Sequence, residues 1–128
     1  IIMAISSNIK ADSLQSLEDL LTIAFKEIGF GVLNTIDFQN TLQEKIGKDI
    51  GEYKLLQICN PQLAHEAITL EPSIGIQLPC NVLVRKTKDA YAVDVQSPLD
   101  SIPSNAPKEL NEMAKGLTVR IEELLASL

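Results

Sequence analysis

Two apolar stripes of helical period bracket this chain and limit what it can fold into. The first comprises Leu14, Leu17, Leu21, Ala24 and Ile28, widened by Leu20 and Phe25. The second runs through Leu110, Met113, Ala114, Leu117, Ile121, Leu124, Leu125 and Leu128. Recurrence at three and four residues puts each set on one side of a helix, and that side must be buried against another layer. The residues between the stripes fall into short β-prone runs separated by Gly, Pro and Asn, which is the punctuation of strands and turns. The expected fold is therefore α+β, with two layers: a mostly antiparallel sheet packed against two long helices. No linker or internal repeat divides the chain, so residues 1–128 are read as one domain.

At 128 residues, the chain can bury a core without disulfides or metals to staple it. With no Trp, three Phe and two Tyr, that core must be mainly aliphatic. The formal charge of −6 argues against nucleic acid as a partner, because phosphate binding relies on clustered Lys and Arg. The densest basic cluster, Arg85, Lys86 and Lys88, flanks an expected hairpin turn and reads as a solvated tip. No apolar run reaches the roughly 18 residues a membrane helix needs, so no membrane partner is expected. The apolar start, Ile1 to Ile5, lacks the basic flank and cleavage site of a secretory signal and reads as a first strand. Two cysteines fall short of a secreted disulfide framework, so a cytoplasmic location is expected; a trimmed export signal would reverse this.

The expected order is strand, long helix, four strands interrupted by two short helices, long helix. The first strand, Ile2 to Ser6, ends in a turn at Ser7-Asn8. Asp12 is expected to cap the first helix with Gln15 as its reciprocal partner, and Gly29 to end it. Phe30 to Phe38 reads as a strand in which Phe30, Val32, Ile36 and Phe38 share one parity and Asn34 interrupts it. A short helix, Gln39 to Ile46, stops at Gly47. Glu52 to Cys59 is apolar on both faces, which suggests a strand that is central or covered on both sides. Asn60-Pro61 is a strong helix start, and Pro72 ends that helix. Cys80 to Val84 and Ala90 to Val95 form a hairpin around Lys86 to Asp89. A proline-marked loop, Ser97 to Ala106, leads to the last helix, Lys108 to Leu125.

Chemistry-bearing residues gather at two corners of near-mirror sequence, Cys59-Asn60-Pro61 and Pro79-Cys80-Asn81. Cys59 precedes a helix start, where unpaired backbone N–H groups would lower its thiol pKa and favour a thiolate. The plainer reading is a small buried hydrophobe, and it holds more strongly for Cys80. His65, the sole histidine, lies about five residues into the helix that starts at Asn60 and would allow a Cys59–His65 acid/base pair. Cys59, Cys80 and His65 make three possible metal ligands, with the Glu71 carboxylate as a fourth, short of any recognised zinc spacing. Glu71 ends a helix, where a carboxylate opposes the macrodipole. Asn60 has a capping role; Asn81 has none and is free to hold a loop or a ligand. Phosphate-binding glycine loops, nucleophile elbows and paired metal histidines are missing.

Cys59-Asn60-Pro61 with Leu63-Ala64, Glu71-Pro72, Ile74-Gly75 and Leu78-Pro79-Cys80-Asn81-Val82 resembles the domain of unknown function 302 family. Gly29-Phe30-Gly31-Val32-Leu33, Ile36-Asp37 and Thr41-Leu42 with Lys45-Ile46-Gly47 resemble its N-terminal half. The resemblance covers roughly Leu14 to Val95. It implies a compact α+β domain of the TATA-box-binding-protein-like class and a plausible dimer, and carries no activity. It also implies that Cys59, Asn60, Cys80 and Asn81 share one cleft. Three functional expectations follow. The first is a cleft at Cys59, Asn60, His65, Glu71, Cys80 and Asn81 that binds a small molecule or metal. The second is a thiol-dependent redox protein or enzyme using Cys59. The third is a homodimeric interaction protein joined through the Leu110–Leu128 stripe. No cofactor can be named.

Overall fold

Among the described residues, five antiparallel strands form one sheet, in which the first strand of the chain lies beside the fifth, and the fourth, third and second follow, with helices packed on one of its faces. The structure, a computed structural model, describes residues 4–128. The strands are β1 (Ile5–Ile9), β2 (Gly31–Asp37), β3 (Tyr53–Cys59), β4 (Cys80–Lys86) and β5 (Tyr91–Val95). The helices are α1 (Leu14–Glu27), α2 (Phe38–Ile46), α3 (Pro61–Leu70) and α4 (Lys108–Ser127), joined by 3-10 turns at Pro72–Gln77 and Pro98–Ser101. This is the expected strand, long helix, four strands, long helix order. Of the expected first strand, Ile2 and Met3 lie outside the described residues. Its remainder runs on through Ser7-Asn8 to Ile9 instead of turning there, paired along its length with β5.

Alternation along the strands separates two faces. Leu56 and Ile58 of β3, Cys80, Val82 and Val84 of β4, and Tyr91, Val93 and Val95 of β5 are buried on one face. Both stripes close over it: Leu17, Leu21, Ala24 and Phe25 from α1, and Leu110, Ala114, Leu117, Ile121 and Leu125 from α4. The short α3 joins this layer through Leu63 and Ala67. Phe25 meets Phe30 edge to face at 6.1 Å, and a Lys54–Glu18 ion pair at 2.6 Å ties α1 to β3. The α4 stripe is thus spent on the chain's own core, with Leu128 left half exposed at its end.

The opposite face is largely uncovered. It carries Tyr53, Leu55 and Gln57 of β3, Asn81, Leu83 and Arg85 of β4, and Ala92 and Asp94 of β5. β3 is interior to the sheet, as expected, but helices cover only its Leu56–Ile58 side. α2 buries no residue fully and touches the uncovered face at its rim, where Phe38 meets Tyr53 edge to face at 5.8 Å.

Three local expectations are corrected. The cap of α1 is Ser13, not Asp12: its hydroxyl accepts from the Ser16 N–H while Ser16 Oγ accepts from the Ser13 N–H. Phe38 begins α2 rather than ending β2, with Asp37 as its cap. The parity of β2 changes at a bulge between Val32 and Asn34. Leu33 is the additional residue, so Val32 pairs with Ile58 on the helix-covered face while Asn34 and Ile36 turn to the uncovered one. The expected glycine stops stand: Gly29 follows α1 at φ +90°, and Gly47 ends α2 at φ +66°.

Candidate functional site

The six residues singled out in the sequence occupy different parts of the molecule. Cys80 and Asn81 are neighbours in β4, so their side chains leave opposite faces of the sheet. Cys80 is buried in the core, where its sulfur lies 3.2 Å from Ser101 Oγ. Asn81 faces the uncovered side. Cys59 ends β3 opposite Gly31, and Cys80 pairs with Ile58 rather than with Cys59. Both thiols are free.

Burial pushes the Cys59 thiol up from its ordinary value, which corrects the expectation of a thiolate favoured by the α3 terminus. Burial also raises Cys80; the Ser101 hydroxyl opposes that shift, while Cys59 and Asp100 add to it. Asn60 performs the expected cap, its Oδ1 accepting from the Leu63 N–H at 3.0 Å, with Pro61 at the first helical position. That bond takes up one of the backbone N–H groups which Cys59 was expected to exploit.

His65 is exposed on α3, in a shallow groove of about 450 Å³ shared with Thr69, Leu70, Pro107 and Glu109. Glu71 is exposed and caps the following 3-10 turn: its Oε1 accepts from the Ser73 hydroxyl at 2.7 Å and from the Ser73 N–H at 3.3 Å. Those two bonds hold its carboxyl below the ordinary range. Glu71 therefore sits at the favourable N-terminal end of the next turn, which removes the suspicion raised by its place after α3. Among the described residues no group of three or more His, Cys, Asp and Glu is close enough to hold a metal ion. Cys59, Cys80, His65 and Glu71 consequently do not form the metal site that sequence spacing left open.

Asn81 belongs to a different constellation. A row of side-chain amides crosses three strands: Asn34 Nδ2 donates to Gln57 Oε1 at 3.1 Å, and Gln57 Nε2 to Asn81 Oδ1 at 3.3 Å. Gln96 ends the row, its Oε1 accepting from the Asn81 backbone N–H at 3.0 Å while the Gln96 backbone N–H donates to the Asn81 carbonyl at 2.9 Å. The Asn81 N–H can only donate, so it fixes the Gln96 amide with its NH2 turned away.

Beside this row lies a cleft of about 740 Å³, lined by Ala4, Tyr53, Leu55, Asn81, Leu83, Arg85, Asp94, Gln96 and Asp100. Leu55 and Leu83, paired across β3 and β4, form its apolar floor. Asp94, opposite Leu83 on β5, accepts from Ser6 Oγ at 2.5 Å and lies 3.9 Å from Arg85 Nε. The cleft thus combines an apolar floor with amides at one end and a guanidinium at the other, a common constitution of small-molecule sites. Of the six expected residues only Asn81 lines it. Arg85, whose basic sequence neighbours point to a solvated hairpin tip, lines the cleft instead. The alternation of β4 was the available signal, since it puts Asn81, Leu83 and Arg85 on one face.

The sequence profile of the family described as Domain of unknown function DUF302 matches residues 5–128. The chain belongs to the DUF302 family. A crystal structure of an uncharacterized conserved DUF302 protein from Bacillus stearothermophilus superposes with a TM-score of 0.79 at 23% identity, covering 94% of each chain. At that identity the likeness carries the fold. No curated protein matches the chain. Among the described residues no helix is long and apolar enough to cross a membrane.

Proposed function

We propose that this DUF302 protein is a binding module whose small organic ligand lies on the uncovered face of the sheet, in the cleft floored by Leu55 and Leu83. What supports this reading is the cleft itself, about 740 Å³ in volume, on a sheet face that no long helix covers among the described residues. Apolar side chains there remain half exposed at a cost in hydration, and a ligand's apolar body would remove that surface from water. The amide row fixes the neighbouring polar groups before any ligand arrives, which lowers the ordering cost of binding.

This reading moves the binding site away from the two cysteines and keeps Asn81. The thiol-based alternative has less support, since burial raises both thiols and Cys80 is spent in the core. The neutral reporter N-phenyl-1-naphthylamine tests the proposal. Its fluorescence should rise saturably on titration with the protein, and Leu83→Asp should abolish the rise while circular dichroism confirms the native fold. A rise that fails to saturate, or one that survives in a folded Leu83→Asp variant, would count against this site.

A further inference from the structure

We propose that the ligand class of this cleft is the small organic monocarboxylate, with its carboxylate on Arg85 and its apolar body along Leu83 and Leu55. The inference rests on the binding reading above and names the chemistry that the cleft selects.

Arg85 stands two residues beyond Leu83 on the same face of β4 and lines the cleft with a half-exposed side chain. Its closest charged neighbour, Asp94 Oδ2, is 3.9 Å from Nε, beyond hydrogen-bond reach. No hydrogen bond joins the guanidinium to any of the described residues; Asp94 faces it at ion-pair distance through Nε, and the N–H donors of the guanidinium fork are left without a hydrogen-bond acceptor there. Such a fork takes a carboxylate through two parallel charge-assisted bonds, which are stronger and more directional than a point charge would give. Asp94, held by the Ser6 hydroxyl, lies on the Nε side of Arg85, so a ligand carboxylate has to take the guanidinium on its other edge.

The other end of the cleft sets the limit to one carboxylate. Asn81, Gln96 and Asp100 line that end, four residues of extended strand from Arg85, a span of about 13 Å. An anion there would face the Asp100 carboxylate. A hydroxyl or an uncharged tail would meet the outward Gln96 NH2 instead. The preferred ligand is therefore charged at one end and apolar through its length, which excludes dicarboxylates of the same span.

Isothermal titration of the full chain with octanoate, octanamide and octanedioate tests this assignment. Octanoate should bind at least about tenfold more tightly than octanamide, as expected for a charge-assisted bond, and more tightly than octanedioate. Arg85→Gln should erase the preference for octanoate over octanamide, with circular dichroism confirming that the variant keeps the native fold. Equal affinity for octanoate and octanamide, or an octanoate affinity unmoved by Arg85→Gln, would overturn the carboxylate assignment while leaving the cleft as a neutral-ligand site. Failure of all three ligands together with the neutral naphthylamine reporter would overturn both readings.

Discussion

A β-carbon built on Gly29 would lie 2.9 Å from the Asn60 side-chain nitrogen. The residue that ends α1 is thus packed against the residue that begins α3. Gly29 also holds φ +90°, a backbone region in which side chains are strained. Conformation and close approach act together here, so Gly29→Ala should cost about 2 kcal/mol or more. Gly47 provides the comparison, because its φ of +66° is also left-handed but, beyond its chain neighbours, no atom of the described residues lies within 4 Å of its built β-carbon. Gly47→Ala should cost only about 1 kcal/mol, the conformational part alone. Urea unfolding of both variants gives the difference, and equal losses would mean that the Asn60 contact has no energetic weight.

Asn60 makes one measurable bond of its own, to the Leu63 N–H. Asn60→Ala should lower stability by about 1 kcal/mol through the lost cap, while Asn60→Ser or Asn60→Asp should recover most of it. If Asn60→Asp fails to recover stability, the side chain acts through its amide nitrogen against Gly29 rather than through the cap.

Alkaline pH should weaken the fold through Cys80 and Tyr91. Burial raises the Cys80 thiol, and burial together with the Glu52 carboxylate raises the Tyr91 phenol. For both groups the unfolded chain releases its proton first, so stability is level below the unfolded pKa values and falls as pH rises above them. The fall should begin near pH 9, around the ordinary thiol value. Denaturation midpoints from pH 7 to 11 should be flatter in Cys80→Ala. In native protein, maleimide should modify Cys59 more slowly than a free thiol and leave Cys80 untouched until unfolding. Rapid labelling of Cys59 at neutral pH would restore the thiolate reading.

The amide row should behave as one coupled unit. Gln57→Ala removes the bond that Asn34 donates and the one that Asn81 accepts, and should cost about 1 kcal/mol. Asn34→Ala should then cost less in the Gln57→Ala background than in the native protein, by about 0.5 kcal/mol. Additive losses in a double-mutant cycle would reduce the row to isolated surface contacts.

Features that depend on adjacent residues were legible in the sequence. The Asn60-Pro61 helix start, the stops at Gly29 and Gly47 and the apolar faces of α1 and α4 depend only on neighbours a turn apart, and the α+β order followed from them. The cap of α1 falls one residue later than expected because Asp12 and Ser13 are both competent caps, and the reciprocal bonds form between Ser13 and Ser16. The parity of β2 failed because nothing local marks Leu33 as a bulge; pairing with β3 decides it. The amide row was invisible for a similar reason: Asn34, Gln57, Asn81 and Gln96 are single polar residues in separate segments until strand register aligns them. Grouping Cys80 with Asn81 in one cleft is a different kind of miss. Strand alternation already separates adjacent side chains, and the paired motif outweighed that signal.

The bulge at Leu33 has a consequence beyond the direction of its neighbours. β2 is an outer strand, with one row of backbone N–H and C=O groups unpaired by the sheet. A flat outer strand of this kind is a template on which a strand from another molecule can add, and repeated addition leads to fibrils. The extra residue breaks the even spacing of those groups, and Asn34, Thr35 and Asp37 place polar side chains beside them. The irregularity that reverses the faces of β2 is also a guard against self-templated aggregation.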